Sequence, residues 1–279
     1  MRPEGAYRVT GSRGTALAVW EHGDAAGPGI LFIHGFCQSH LSWAAQLAGP
    51  ALAPFRMVSF DLRGHGDSEK PRAPADYDDD RVWAGDLDAV IAGAGLERPV
   101  LVAWSLGGRV VQDYLRRFGA ASVAAVNFVG AALRVAGTGP CVSGPALSGD
   151  LAAEDAGLRR QATQAFLRSC FAVPPPDEAL AAALADNMKV PAAVRRLIMA
   201  RAPAALDAGM LADLPVLITH GAADRVMPAA GARAAADRLP HARLSLYDGI
   251  GHAAMAEAPD RFNRELAAFV AAASRGARR

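Results

Sequence analysis

Leu101-Val102-Ala103-Trp104-Ser105-Leu106-Gly107-Gly108 is the stretch on which the fold turns. The apolar run from Pro99 to Ala103 reads as a strand buried on both faces. Ser105 follows, and a helical pattern of apolar residues begins at Leu106. A strand that passes into a helix through one serine has the grammar of a nucleophile elbow. That turn is so tight that the hydroxyl stands exposed on strained backbone. Strand and helix nearly touch there, so the residues two places before and after the serine must be small. Ala103 and Gly107 fill those places, Ala103 being one methyl larger than the usual glycine.

The same alternation extends outward. Ala6 to Thr10 and Thr15 to Glu21 read as a hairpin. Gly29 to Ile33 and Arg56 to Phe60 read as short buried strands, ending at His34-Gly35 and at Asp61-Leu62-Arg63-Gly64-His65-Gly66. Leu41 to Leu52 is expected to be helical, with Trp43, Leu47 and Leu52 on one face. Arg81 to Ala94 is strongly helical, because Val82, Trp83, Leu87, Val90 and Ile91 share one stripe. After the serine, Val110, Val111, Tyr114, Leu115 and Phe118 keep the helical period, and Val123 to Gly130 is a further strand. Near the end, Leu214 to Thr219 and Arg243 to Tyr247 read as strands, Ala229 to Leu239 as a helix, and Asp260 to Ala273 as the last helix. Apolar strands alternating with helices predict an α/β fold, a parallel sheet covered on both faces. Residues 134–206 break the pattern. They lack β-branched runs, and helical pieces are expected at Arg159 to Phe171, Glu178 to Asn187 and Ala192 to Arg201. This segment reads as a helical insertion between two strands of a core made of residues 1–133 and 207–279.

Composition narrows the classes. The chain has 279 residues, 52% of them hydrophobic and 20% charged, with a net charge of +1. That length supports a large self-sufficient core. The near-neutral balance predicts no nucleic-acid partner. Arg275, Arg278 and Arg279 are expected to be a solvated tail. Cys37, Cys141 and Cys170 are odd in number and have no metal-like spacing, which argues against a disulfide framework. Residues Met1 to Gly14 carry no apolar leader, and no uninterrupted apolar run reaches the length of a membrane span. A cytoplasmic protein with no membrane partner is expected, and the sequence leaves its oligomeric state open.

A serine hydroxyl needs a base, a group that orients the base, and donors for an oxyanion. The base expected after the serine in chain order is His252, in Tyr247-Asp248-Gly249-Ile250-Gly251-His252, where glycines let a short loop turn sharply. The orienting acid is Asp224, in a loop opened by Gly221 at the end of a strand, where parallel sheets place their ligands. The oxyanion donors are expected to be the backbone N–H groups of Leu106 and Phe36. His34 is read as holding its loop by hydrogen bonds. His22, His40 and His241 are read as solvated, and His220 as lying off the face of Asp224. Cys37 is read as a small buried residue, and Trp104 as pocket wall or core packing.

Taken together, His34-Gly35-Phe36, Asp61 to Ser68, Ser105 in its turn, His220 to Asp224 and Gly251-His252 resemble the α/β-hydrolase superfamily in the family's order. The resemblance covers about Gly5 to Leu133 and Pro215 to Ser274, and is closest to bacterial carboxylesterases and cofactor-free haloperoxidase-type esterases. It implies a mostly parallel central sheet of about eight strands with helices on both faces, a Ser105–His252–Asp224 triad, and a cap formed by the insertion. It implies no cofactor and no metal. The Arg63-Gly64-His65-Gly66 loop becomes a structural landmark. A serine at position 105 sets the chain apart from the dehalogenases and epoxide hydrolases of the superfamily, which use aspartate there. The expected reaction is hydrolysis of a small or medium, largely apolar carboxylic ester through an acyl-enzyme. Trp104, Cys37, Phe166, Phe171 and Met227 are candidate pocket residues. The alternatives are perhydrolysis, hydrolysis of a lactone, amide, thioester or C–C bond, and a non-catalytic ligand-binding protein of the same fold.

Overall fold

The computed structural model describes residues 6–131, 133–138, 147–202 and 204–276. Cys141, Arg278, Arg279 and residues 139–146 of the expected insertion lie outside them. Strands β1 (Ala6–Thr10), β2 (Ala16–Gly23), β3 (Gly29–Ile33), β4 (Arg56–Phe60), β5 (Val100–Trp104), β6 (Ala125–Val129), β7 (Val216–Gly221) and β8 (Arg243–Tyr247) form one open sheet. Its order is β1-β2-β4-β3-β5-β6-β7-β8. The β1–β2 and β2–β4 pairs are antiparallel, and every later pair is parallel.

The helices are α1 (Ala44–Leu47), α2 (Asp80–Ala94), α3 (Leu106–Phe118), α4 (Ala156–Ser169), α5 (Asp177–Met188), α6 (Ala192–Ala200), α7 (Ala229–Arg238), α8 (Ala254–Glu257) and α9 (Pro259–Gly276). The period-2 alternation of each strand divides the core between the two faces of the sheet. Leu31, Ile33, Leu101 and Ala103 pack with Trp83, Leu87 and Val90 of α2 and Val110, Val111 and Tyr114 of α3. Ile30, Phe32, Val100 and Val102 pack with Trp43 and with Phe262, Leu266 and Val270 of α9.

The helix expected over Leu41 to Leu52 is instead three short pieces. A 3₁₀ turn, His40–Trp43, leads into α1, and a second 3₁₀ turn occupies Pro50–Leu52. Pro50 lacks an N–H and disfavours helical backbone in the residue before it; Gly49 accordingly sits at φ −77°, ψ 123°. Trp43 and Leu52 still reach the core.

Among the described residues of the segment between β6 and β7, Leu167, Leu180 and Leu184 form a small apolar cluster of their own. Arg195, fully buried, knits it together. Its guanidinium donates to the carbonyls of Val190, Leu151 and Asn187 and to Thr163 Oγ1, at 3.1, 2.9, 2.6 and 2.9 Å.

Strand order reverses beside β3. Chain order runs β3 to β4, yet β3 pairs with β4 on one side and β5 on the other. Loops leaving β3 and β5 therefore diverge at the carboxyl end of the sheet, the place where open α/β sheets hold their ligands.

Candidate active site

Ser105 lies at that switch point. It is half-buried, and its backbone at φ 51°, ψ −111° is in a region that costs a non-glycine residue strain. The turn persists because its neighbours leave no alternative. Ser105 N–H donates to Val129 O at 3.0 Å, and Gly108 N–H returns to Ser105 O at 3.0 Å. A Cβ on Gly107 would stand 2.5 Å from Ile33 O, so only glycine fits two places after the serine. The β3–β5 register pairs Ile33 with Ala103. It brings the loop after β3 alongside the serine, where a Cβ on Gly35 would come within 3.3 Å of Ser105 Cβ.

That loop turns at Phe36-Cys37, closed by Gln38 N–H donating to Gly35 O at 3.2 Å. Cys37 takes φ 56°, the left-handed value that the third residue of a type II turn requires. Burial pushes its thiol up to about 12, so it is not a ready nucleophile. His34 fixes the loop from below. Its Nδ1–H donates to Gly35 O at 2.8 Å, and its Nε2 accepts from Leu62 N–H at 2.9 Å. Leu106 begins α3, so its N–H is one of the first-turn donors that a helix cannot satisfy internally.

His252 reaches the same place from the loop after β8. Its Nδ1–H donates to Asp224 Oδ2 at 2.8 Å, which leaves Nε2 as the acceptor of the neutral ring. Trp104 lies against it, with ring centroids 5.5 Å apart and its indole N–H donating to His252 O at 3.0 Å. A Cβ on Gly130, one residue beyond the carbonyl that binds Ser105, would stand 3.1 Å from His252 Nδ1. The other oxygen of Asp224, Oδ1, accepts from the N–H groups of Val226 and Met227, both at 2.8 Å. Burial alone would raise the Asp224 carboxyl. The facing His252, hydrogen bonds from His220 and His252, and the Met227 N–H together hold it well below the usual range.

A half-buried strained serine, a histidine and a buried carboxylate thus converge at the sheet's carboxyl edge in the chain order serine, acid, histidine. The sequence matches the alpha/beta hydrolase family over residues 30–265. The chain belongs to that family. It is 36% identical to a Burkholderia cenocepacia protein provisionally named an aryl esterase, over 96% of this chain and 99% of that one, with a TM-score of 0.87. The esterase RhEst1 of Rhodococcus sp. ECU1013 is 30% identical, over 95% and 98% of the two chains, with a TM-score of 0.86. A non-heme haloperoxidase of Rhodococcus erythropolis is 28% identical over 94% of this chain and 98% of its own.

Two histidine readings from the sequence need correcting in this hydrolase. His220 does face Asp224. Its Nε2 lies 3.1 Å from Asp224 Oδ2 and 2.7 Å from Met227 O. Strand spacing misleads here because residues 221–224 fold back as a turn, with Asp224 N–H donating to Gly221 O at 3.2 Å. His40 is not solvated. It stacks on Trp20 with centroids 3.4 Å apart, and its Nδ1 lies 3.0 Å from Asp61 Oδ1. His22 and His241 are exposed, as expected.

The sequence also gave no notice of Glu257. Its Oε1 accepts from Gly251 N–H at 2.8 Å, beside His252, while its Oε2 accepts from Ala172 and Val173 N–H at 2.8 and 3.3 Å. Ala253 N–H donates to Cys170 O at 3.0 Å, and Arg225 donates to Phe171 O at 2.9 Å. The 170–173 stretch therefore rests directly on the loops carrying His252 and Asp224. On the opposite side, Ser39 Oγ donates to Asp186 Oδ2 of α5 at 2.5 Å. Among the expected pocket residues, Phe166 and Met227 are buried and Phe171 is half-buried. Among the described residues no group of His, Cys, Asp and Glu is arranged to hold a metal, and no helix is long and apolar enough to cross a membrane.

Proposed function

We propose that this hydrolase cleaves a small or medium, largely apolar carboxylic ester through an acyl-enzyme on Ser105. The observation that carries the reading is the 2.8 Å His252–Asp224 pair set beside the strained turn that presents Ser105. His252 Nε2 takes the proton of the Ser105 hydroxyl as its oxygen attacks the ester carbonyl. Asp224 holds the ring in the Nδ1–H tautomer and stabilises the imidazolium. The N–H groups of Leu106 and Phe36 receive the oxyanion. His252 then returns its proton to the leaving alcohol, and water repeats the sequence on the acyl-enzyme.

Residues 134–206 act as a cap over this site. Support comes from the contacts of 170–173 with the histidine loop and of Asp186 with the loop after β3. Phe171 and Met227, adjoining those loops, supply apolar wall for the acyl group, with Phe166 and Cys37 behind them. Trp104 serves as the backing of the His252 ring.

The test is turnover of p-nitrophenyl esters of graded acyl length. Ser105→Ala keeps its fold and loses turnover by several orders of magnitude, because the hydroxyl acts chiefly in the transition state. Wild-type-like turnover in that variant would refute the assignment.

The likeness to a haloperoxidase over nearly the whole chain favours a second outcome from the same serine. Hydrogen peroxide would replace water on the acyl-enzyme and release a peracid, which oxidises bromide. Carboxylic-acid-dependent bromination that disappears in Ser105→Ala is its signature.

A further inference from the structure

We propose that His220 is a positioning residue of this site, a second imidazole that shares Asp224 Oδ2 with His252 and fixes the direction and strength of the His252–Asp224 bond. The proposal rests on the hydrolase reading above for its catalytic consequence, and on geometry alone for the coupling.

Asp224 is surrounded on both oxygens. Oδ1 accepts from two backbone N–H groups, and Oδ2 faces two imidazoles, at 2.8 Å to His252 Nδ1 and 3.1 Å to His220 Nε2. An ionised carboxylate accepts about four hydrogen bonds; three come from Val226, Met227 and His252, and His220 Nε2 stands 3.1 Å from Oδ2 at the remaining place, so the group cannot rotate without breaking several bonds. His220 is itself anchored, since its Nε2 lies 2.7 Å from Met227 O. A carbonyl only accepts, so the proton is on Nε2, and the same N–H forks toward Asp224. The remaining nitrogen, Nδ1, is buried with no hydrogen-bond partner among the described residues. An unpartnered buried acceptor is costly, and nothing on that side of the ring repays it. The gain lies on the Nε2 side, where the fork ties Met227 O to the carboxylate. The two imidazoles thus have different tasks. The two rings are equally buried, at 1% exposure each, and differ in the nitrogen they commit: His252 meets Asp224 through Nδ1 and keeps Nε2 as an acceptor, whereas His220 turns its Nε2–H toward Met227 O and Asp224 and offers only a fixed donor.

A second donor on one oxygen makes that oxygen a weaker acceptor for the first. Removing it should shorten the His252–Asp224 bond while releasing the carboxylate to tilt. The direct readout is the downfield proton resonance of His252 Nδ1–H, which needs no substrate. In His220→Leu this resonance moves further downfield, and in His220→Gln, whose carboxamide N–H can span Met227 O and Asp224 Oδ2, it returns toward the wild-type position. In ester turnover, His220→Leu lowers kcat by about tenfold to a hundredfold, the size of one hydrogen bond to a charged group, with KM little changed, and His220→Gln restores most of it.

A resonance unmoved in both folded variants overturns the proposal, as does loss of kcat in His220→Leu with no recovery in His220→Gln and no change in the resonance. Should His220→Leu not fold, the tautomer of His220 in the wild-type spectrum still decides, a proton on Nε2 supporting the fork. A wild-type His220 carrying its proton on Nδ1 refutes the fork outright. Absence of any Ser105-dependent turnover, with the resonance shift present, refutes the hydrolase reading and leaves the coupling intact.

Discussion

His252–Asp224 and His40–Asp61 both lie at the carboxyl edge of this sheet, and distance does not tell these two pairs apart. His252 Nδ1 is 2.8 Å from Asp224, and His40 Nδ1 is 3.0 Å from Asp61. Both carboxylates have fully buried side chains, and both are held below the ordinary range despite burial. Their settings differ. Asp61 also accepts from His40 N–H and Asp67 N–H, both at 2.7 Å, and the His40 ring is pinned flat on Trp20. That pair closes a loop. The His252 ring is instead braced by Trp104 and borders the strained serine turn. A His–Asp pair is therefore a device for holding an imidazole still, and it becomes proposed chemistry only where the free nitrogen has a nucleophile to serve.

The largest separation between the pairs is expected in turnover. Asp224→Asn should lower kcat by about 10⁴-fold near neutral pH, because an amide favours the wrong tautomer of the histidine. Asp61→Asn should leave kcat within about tenfold and act on stability instead, costing about 1–3 kcal/mol in urea unfolding as buried donors lose their acceptor. Equal losses of kcat in the two variants would erase the distinction.

Acid sharpens it differently. His65 is fully buried near His34, with ring centroids 5.1 Å apart. Burial first, then the neighbouring His34, lower it from 6.5 to about 3. Below pH 6.5 the unfolded chain binds a proton that the folded chain refuses, so stability falls as pH drops from 6.5 toward 3. The carboxylates of Asp61 and Asp224 behave alike in sign but later. Their contribution is full above 3.8 and is lost only as pH falls below it. Melting temperature followed against pH should therefore begin to fall well before the carboxylates titrate. His65→Asn, which can still donate to Arg63 O in place of the 2.8 Å bond from Nδ1, should flatten the slope between pH 6.5 and 4. An unchanged slope would assign the early loss to another group.

The smallest effect is expected at His40 itself. His40→Ala removes the stack on Trp20 and one side-chain bond but keeps the backbone N–H on Asp61, so about 1 kcal/mol of stability is lost. Ester turnover should change less than threefold by the measure used for Asp224→Asn.

How far the sequence could be read follows from what holds each part. Gly29–Ile33, Arg56–Phe60 and Arg243–Tyr247 match their expected bounds residue for residue. Gly29–Ile33 is an unbroken apolar run after its glycine, and Arg56–Phe60 and Arg243–Tyr247 are short apolar stretches, each interrupted by one serine, that polar or glycine-bearing loops bound closely. Helix α2 matches within one residue for a related reason, a strong stripe closed by Gly95 at φ 63°. The broken helix at Leu41 to Leu52 was hidden because its apolar spacing survives the break at Gly49-Pro50. Ser105, Asp224 and His252 stand in short glycine-bearing motifs, and the structure draws them to one edge of the sheet. His220 was misplaced because a turn of three residues after a strand changes which side chains meet. Gly221, whose Cβ would stand 1.9 Å from Gly251 O, was the signal of that close fold-back. Glu257 left no trace in the sequence, since a carboxylate that binds only backbone N–H groups has no partner residue type to look for.

The Glu257 attachment has a consequence for how this enzyme can change. Its three acceptor bonds read the path of the chain at 172–173 and at Gly251 and ignore what those residues carry. Val173, 77% exposed, can vary freely in side chain while the joint between the proposed cap and the histidine loop stays fastened. Residue 173 is thus a position where any side chain on a residue that keeps its N–H leaves this joint fastened, and a library built there should vary surface character while sparing fold and turnover alike.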